Sequence, residues 1–219
     1  MDAIYKKWFD ADSVEVTIEL DNHEGFLSSQ DIAALTGAPK NSKVLVRREE
    51  QSIAFIVSND IFDEDMYRYL VSESDGLSLY INNAVMALKE QFTNQGIGPR
   101  CVIRKIFAAT VLAHRVPIKF IKVEAVGNFD SFHWVKHPLR GYYVWASMGF
   151  DGKIPENVTH KLPHKYRHCH YVSELIQEDG GLEQWRLLGD TVKLFFDLAP
   201  DSTSWRLLTA YMNAKGIEP

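Results

Sequence analysis

The chain has 219 residues, 46% of them hydrophobic and 24% charged, proportions that exclude a disordered tail, a collagen-like fibre and a disulfide scaffold. Twenty-four basic residues against 29 acidic ones leave a net charge of −5, so the broad basic field of a nonspecific nucleic-acid binder is missing. At roughly 150 residues per domain, the length predicts one medium domain with an appendage.

Ser13 to Leu20 alternates apolar and polar residues, the period of a half-buried strand. Ser28 or Ser29 then caps a short helix over Gln30 to Leu35, closed by Gly37 and Pro39. Lys43 to Arg48 and Ile53 to Ser58 read as two strands of a hairpin joined through Glu49 to Ser52. Asp63 to Val71 reads as a helical turn or a loop. Leu77 to Leu88 is a strand bent or bulged at Asn82 and Asn83.

Pro99 to Arg115 carries Val102, Ile106, Ala109 and Ala113 at helical spacing and is the plainest helix in the chain. A buried strand, Ile118 to Val126, follows Pro117, and Tyr142 to Met148 forms a short helix stopped by Gly149. The stretch from Asp151 to Tyr171 is loop-like. A mixed tail follows through Val172 to Ile176, Leu182 to Leu188, Val192 to Leu198 and Ser204 to Lys215, closed by Gly216.

The longest apolar stretch of the helical part, Ile106 to Ala113, is far short of the ~20 residues that span a bilayer. No apolar run follows Lys6 and Lys7, and Cys101 and Cys169 are the only cysteines. These features point to a cytoplasmic protein with reduced thiols and no membrane partner.

The residues richest in chemistry are Thr93-Asn94-Gln95-Gly96-Ile97-Gly98-Pro99-Arg100, between the long strand and the best helix. Two glycines at a helix start can point backbone N–H groups into one concavity, with the positive end of the helix dipole behind them. A phosphate or pyrophosphate suits such a turn, although an ordinary tight turn reads the same way. The pattern matches neither the dinucleotide nor the Walker glycine motif.

Strand, Gln95-Gly96-Ile97-Gly98 turn, helix, strand, and then Trp145-Ala146-Ser147-Met148-Gly149-Phe150 resembles the core of the GNAT superfamily of N-acetyltransferases. The resemblance follows element order from Ser13 to Phe150. It implies a GNAT-like α/β fold, with a largely antiparallel twisted sheet flanked by helices. Residues 1–155 would form that domain and residues 156–219 a C-terminal extension packed on it.

The resemblance further implies acetyl-coenzyme A as co-substrate and direct transfer of the acetyl group to an amine on a small molecule, a peptide or an aminoacylated RNA. Gln95, Gly96, Ile97, Gly98 and Arg100 would hold the pyrophosphate, Arg100 reaching a phosphate or stabilising the helix start. The backbone at Met86 and Leu88 would meet the rest of the cofactor between two splayed strands. Thr93 stands where that family's signature has Gln or Arg, and Trp145 where many members have Tyr. Residues 129–141 are inserted relative to it. A catalytically inactive binding protein on the same fold is therefore the alternative.

Amine attack on a thioester needs a base near neutrality and a donor for the departing thiolate. Glu124, in an otherwise apolar strand, is the candidate base; pairing with a neighbouring Lys or Arg is its other reading. Tyr142 and Tyr143 are candidate proton donors, or they pack on the sheet with wet hydroxyls. His160, His164, His168 and His170 surround Cys169, but none of the standard zinc spacings is met. No metal is expected there; a loop touching substrate fits better. The aromatic insertion around Phe132, His133 and Trp134 suits a lid or a cover for the sheet edge. The apolar tail either packs on the domain or forms a homodimer interface.

Overall fold

The computed structural model describes residues 2–20, 27–134 and 138–218. The strands are β1 (Glu15–Glu19), β2 (Lys43–Glu49), β3 (Ser52–Ser58), β4 (Met66–Ser72), β5 (Leu79–Val85), β6 (Ile118–Ala125) and β7 (Val192–Asp197). They lie in the order β1-β2-β3-β4-β5-β6-β7. The fold is mixed α/β. The chain divides into two compact units, residues 1–121 with 216–219 and residues 122–215, and the division falls inside β6.

In the first unit, α1 (Ala3–Trp8) precedes β1, and α2 (Ser29–Thr36) connects β1 to β2. Ser28 caps α2: its hydroxyl accepts from the Asp31 N–H while the Asp31 carboxylate accepts from the Ser28 N–H. This is a complete capping box, and left-handed Gly37 closes the other end. Because β1 reaches β2 through a helix and not a hairpin, the two run parallel. From β2 to β5 the chain is an antiparallel meander. The sheet is therefore mixed, which corrects the largely antiparallel sheet expected from sequence.

The segment expected as a helical turn or loop contains β4. Met66, Arg68 and Leu70 point inward while Tyr67, Tyr69 and Val71 are half-buried. An arginine at an inward position breaks the apolar alternation by which a strand is recognised. The bulge foreseen in β5 is present one residue past the asparagines. Arg68 pairs with Asn83 and Tyr67 with Val85, leaving Ala84 over.

Helix α3 (Ile97–Leu112) buries one face against the unit's core through Ile97, Cys101, Ile106 and Ala109. Lys105 lies on that same face, fully buried, and its ammonium donates to Asn83 Oδ1 at 2.6 Å. Arg68, also buried, donates to the carbonyls of Tyr67 and Val85 at 3.0 Å and to the sulfur of Met66. Two basic side chains thus share an apolar core with an amide beside them. Burial, and then the Arg68 charge, hold the Lys105 pKa well below the usual lysine range. Burial brings Arg68 down to about 10.

The second unit holds α4 (Phe129–Phe132), α5 (Gly141–Ser147), α6 (Glu156–Thr159), α7 (Val172–Gln177), α8 (Gly181–Leu188), β7 and α9 (Thr203–Lys215). Within the stretch expected as loop lie α6 and a 3-10 turn, His164–Tyr166. Four aromatic rings form a ladder: Trp145–Phe150 at 4.9 Å, Phe150–Phe196 at 5.3 Å and Phe196–Trp205 at 5.5 Å. Gly149 lets α9 approach, since a Cβ there would lie 2.3 Å from the Ser204 carbonyl oxygen. The apolar tail therefore packs within its own unit. Among the described residues, no helix is long and apolar enough to cross a membrane.

The depressed pKa of Lys105 makes stability depend on pH. Below the unfolded-chain value of about 10.4, the unfolded state binds the proton that the folded interior resists, so stability rises with pH. Urea denaturation at pH 7 and pH 9 should show the wild type gaining stability relative to Lys105→Met over this interval. Parallel behaviour of the two proteins would contradict a proton-poor Lys105.

Candidate functional site

The glycine turn follows β5 directly. Beyond Val85 the chain continues to Leu88, which bridges Phe62 antiparallel. Ala87 accepts from the Asp63 N–H at 3.0 Å and the Lys89 N–H donates to Ile61 at 2.9 Å. This alternation turns the N–H and C=O of Leu88 itself away from the Phe62 segment. Among the described residues, no main-chain hydrogen bond uses them.

A 3-10 turn at Glu90–Phe92 and left-handed Asn94 lead to Gly96, whose φ of 72° makes it the N-cap of α3. Glycine adopts that conformation without the steric penalty of a Cβ, and no side chain caps the helix start. In an α-helix the first N–H groups have no intrahelical acceptor. Gln95 is exposed and Gly96 partly so, whereas Ile97 and Gly98 are buried. The side chains of Met86 and Leu88 close over Gly98, at 3.7 Å and 3.6 Å from where its Cβ would be.

Arg100 is committed within the protein. Its Nη1 donates to the Gly96 carbonyl at 3.0 Å, and Nε and Nη2 bind the Asp2 carboxylate at 3.0 and 2.7 Å. Of its two expected roles, stabilising the helix start is the one the geometry displays. Asp2 also caps α1 by accepting from the N–H groups of Ile4 and Tyr5. Burial acts to raise the Asp2 pKa, but the Arg100 and backbone hydrogen bonds outweigh it and hold the carboxyl below its usual range. Trp8 rests edge-on against Phe92 at 5.7 Å, and the Tyr5 hydroxyl donates to the Arg100 carbonyl. The first residues of the chain therefore brace the turn, and no local sequence signal shows a contact that links positions 98 residues apart.

Met86, Leu88, Gln95, Gly96, Ile97, Gly98 and Arg100 all belong to the first unit, while Glu124, Tyr142 and Tyr143 belong to the second. Glu124 is an exposed position of β6. Tyr142 is fully buried: its hydroxyl donates to the Arg186 carbonyl, and its own carbonyl accepts from the Trp185 indole at 3.0 Å. Burial pushes its pKa up to about 12, with the Arg186 charge acting the other way. This tyrosine packs as structure. Tyr143 is half-buried, its pKa raised by burial and by the Glu183 charge, and it stacks edge-on with Phe132 at 5.8 Å.

Of the inserted segment, Phe132 packs on these tyrosines, with Arg140 over its ring, while Trp134 is exposed. Val135, Lys136 and His137 lie outside the described residues. In the histidine-rich stretch, His160 reaches Glu156 at 3.7 Å and His168 reaches Glu178 at 3.1 Å. Glu178 had no place in the sequence reading because it lies ten residues beyond His168, past helix α7.

A groove of about 890 Å³ opens in the second unit, lined by Asp151, Lys153, Tyr171, Lys193, Phe195 and Ser202. The Asp151 carboxylate there is already occupied by the Ser173 N–H and hydroxyl, at 2.8 and 2.7 Å. No family model, no curated protein and no solved structure matches this chain.

Removing the Asp2 carboxylate strands a guanidinium whose side chain is only 7% exposed. Asp2→Ala should cost about 3 kcal/mol, the scale for breaking a largely buried ion pair, as read by urea unfolding. A change below about 0.5 kcal/mol, the range of ordinary surface substitutions, would show that the pair does not hold the turn.

Proposed function

We propose that the chain is an acetyl-coenzyme A-dependent N-acetyltransferase of the GNAT type, with the Leu88–Gly98 segment as its cofactor seat. One observation carries the reading: just past β5, Leu88, whose main chain makes no main-chain hydrogen bond among the described residues, leads through left-handed Gly96 into the start of a 16-residue helix that no side chain caps. Amides of an extended cofactor arm need unpaired backbone, and a diphosphate needs helix-start N–H groups. Both kinds of group occur here within eleven residues, from Leu88 to Gly98.

The fit is uneven. Leu88, Gln95 and Gly96 suit the cofactor as they stand. Arg100 is held by Asp2 and Gly96, so it supports the turn from behind and adds no phosphate contact. Ile97 and Gly98 are buried, so only the rim of the helix start faces a ligand. When bound, the cofactor supplies an activated acetyl thioester. The chain's contribution in this unit is to hold the diphosphate and orient the arm along Leu88. Glu124 keeps its proposed role as the base.

The second reading is a binding protein of the same kind without catalysis. The locked hydroxyl of Tyr142 favours it, because a buried phenol donating to a carbonyl is not available as a proton donor.

Calorimetric titration with acetyl-coenzyme A should give micromolar binding. Gly96→Asp, whose Cβ would meet Arg100 Nη1 at 2.5 Å in a left-handed position, should abolish the heat and also lower the melting temperature. Gln95→Glu, at an exposed position, should instead weaken binding with the melting temperature within a few degrees of the wild type. No heat from the wild type at millimolar ligand would remove the transferase reading and leave the non-catalytic one. With binding established, Glu124→Gln should lower kcat for acetyl transfer to an amine by about 100-fold, the usual contribution of a general base. Binding without any turnover would leave the non-catalytic reading.

A further inference from the structure

Outside the turn, one cluster combines three metal-ligating atoms of different chemistry. His168 Nε2 lies 3.1 Å from Glu178 Oε1, and Cys169 Sγ lies 3.6 Å from His168 Nε2. All three ligand atoms fall within 4.8 Å of one another. We propose that His168, Cys169 and Glu178 form a zinc-binding site with one coordination position left to water.

Two of the three separations fit the ion. Zinc takes nitrogen and oxygen at about 2.0–2.2 Å and thiolate sulfur at about 2.3 Å in tetrahedral array. Ligand atoms around such an ion are then roughly 3.3 to 3.6 Å apart, by the same bond lengths and the tetrahedral angle. The nitrogen–oxygen and nitrogen–sulfur separations already lie near those values. An ion pair alone would explain His168 beside Glu178. It does not require a buried thiol on the same imidazole nitrogen, and Cys169 is 1% exposed.

The framework around the three is braced on both sides. The Cys169 N–H donates to the Tyr166 carbonyl at 3.0 Å, which fixes the thiol behind the 3-10 turn. The Tyr166 hydroxyl donates to the Asp179 carbonyl at 2.8 Å, so the turn that carries the sulfur is tied to the residue next to Glu178. Glu178 itself caps α7, its N–H bonded to the Leu175 carbonyl at 3.1 Å. The sulfur is thus the fixed ligand, while the imidazole and carboxylate, with side chains 63% and 45% exposed, swing in from the rim.

The donor set selects the metal. A thiolate with an imidazole and one carboxylate suits a borderline ion such as zinc, whereas calcium and magnesium take all-oxygen shells. Neighbouring Glu174 is not a fourth ligand, because its carboxylate caps the N–H groups of His170 and Tyr171 at 2.6 and 3.1 Å. Three protein ligands therefore leave a position for water, the arrangement of an open site and not a closed structural one. This inference is independent of the transferase reading.

The test uses the full chain, reduced and stripped of metal with a chelator, then titrated with zinc alone by competition against an indicator. Cobalt(II) serves as the spectroscopic probe, since a cobalt–thiolate bond gives a charge-transfer absorption that imidazole and carboxylate do not. The expected result is one zinc per chain at submicromolar dissociation constant, with a thiolate band that survives Cys101→Ala and disappears in Cys169→Ser. His168→Ala and Glu178→Gln, both at exposed positions, should remain folded and bind more than about 100-fold more weakly, since a lost ligand costs more than the 10- to 100-fold of a lost outer-shell partner. The proposal is overturned if the wild type binds no zinc at low micromolar concentration. It also fails if the band follows Cys101, or if both exposed variants bind as the wild type does. Should Cys169→Ser fail to fold, the two exposed variants decide.

Discussion

The first unit is organised around basic side chains buried where charge is costly. Lys105 reaches from α3 through an apolar layer to Asn83 on β5, and Asn83 is the cross-strand partner of buried Arg68 on β4. Among the described residues, burial is the chief influence on the Arg68 charge, with Cys101 acting the other way. Carbonyls and methionine sulfurs receive the Arg68 guanidinium, and the Asn83 amide oxygen receives Lys105. Such an arrangement seldom adds stability compared with well-packed apolar residues. What it does supply is register: α3 sets the Lys105 amino group against Asn83 on β5. Because α3 begins at the glycine turn, the same constraint fixes where the turn sits at the end of β5.

Much of this frame was legible in the amino-acid sequence, for local reasons. Ser28, Asp31 and Gly37 mark both ends of α2, and the period of Val102, Ile106 and Ala109 marks α3. The unreadable parts are those decided over distance. Strand β4 hides its period because Arg68 occupies an inward position, and only Asn83 and the carbonyls of neighbouring strands make that position tolerable. The parallel pairing of β1 with β2 follows from how α2 packs, which alternation within β1 does not reveal. At the turn, the sequence shows the glycines but not Asp2, which arrives from the chain's start and occupies Arg100.

The candidate catalytic residues divide in the same way. Sequence leaves Tyr142 as either a proton donor or a packing residue; its burial and its bond to the Arg186 carbonyl accord with packing. Tyr143 beside it keeps a half-buried hydroxyl, and Glu124 is exposed on β6. The histidine-rich stretch is a case of the opposite kind. Its internal spacing meets no metal rule, yet the fold brings Glu178 from beyond α7 to His168 and Cys169. Spacing rules miss such a site because one ligand comes from a different element.

The central claim is that the Leu88–Gly98 segment meets a nucleotide-bearing cofactor. The most direct measurement is amide chemical-shift mapping of the isotopically labelled chain during titration with coenzyme A. The expected result is that the largest shifts, saturating with ligand, fall on Leu88, Gln95 and Gly96, with smaller ones along the first turn of α3. Unchanged spectra, or shifts confined to residues outside this segment, would contradict the claim.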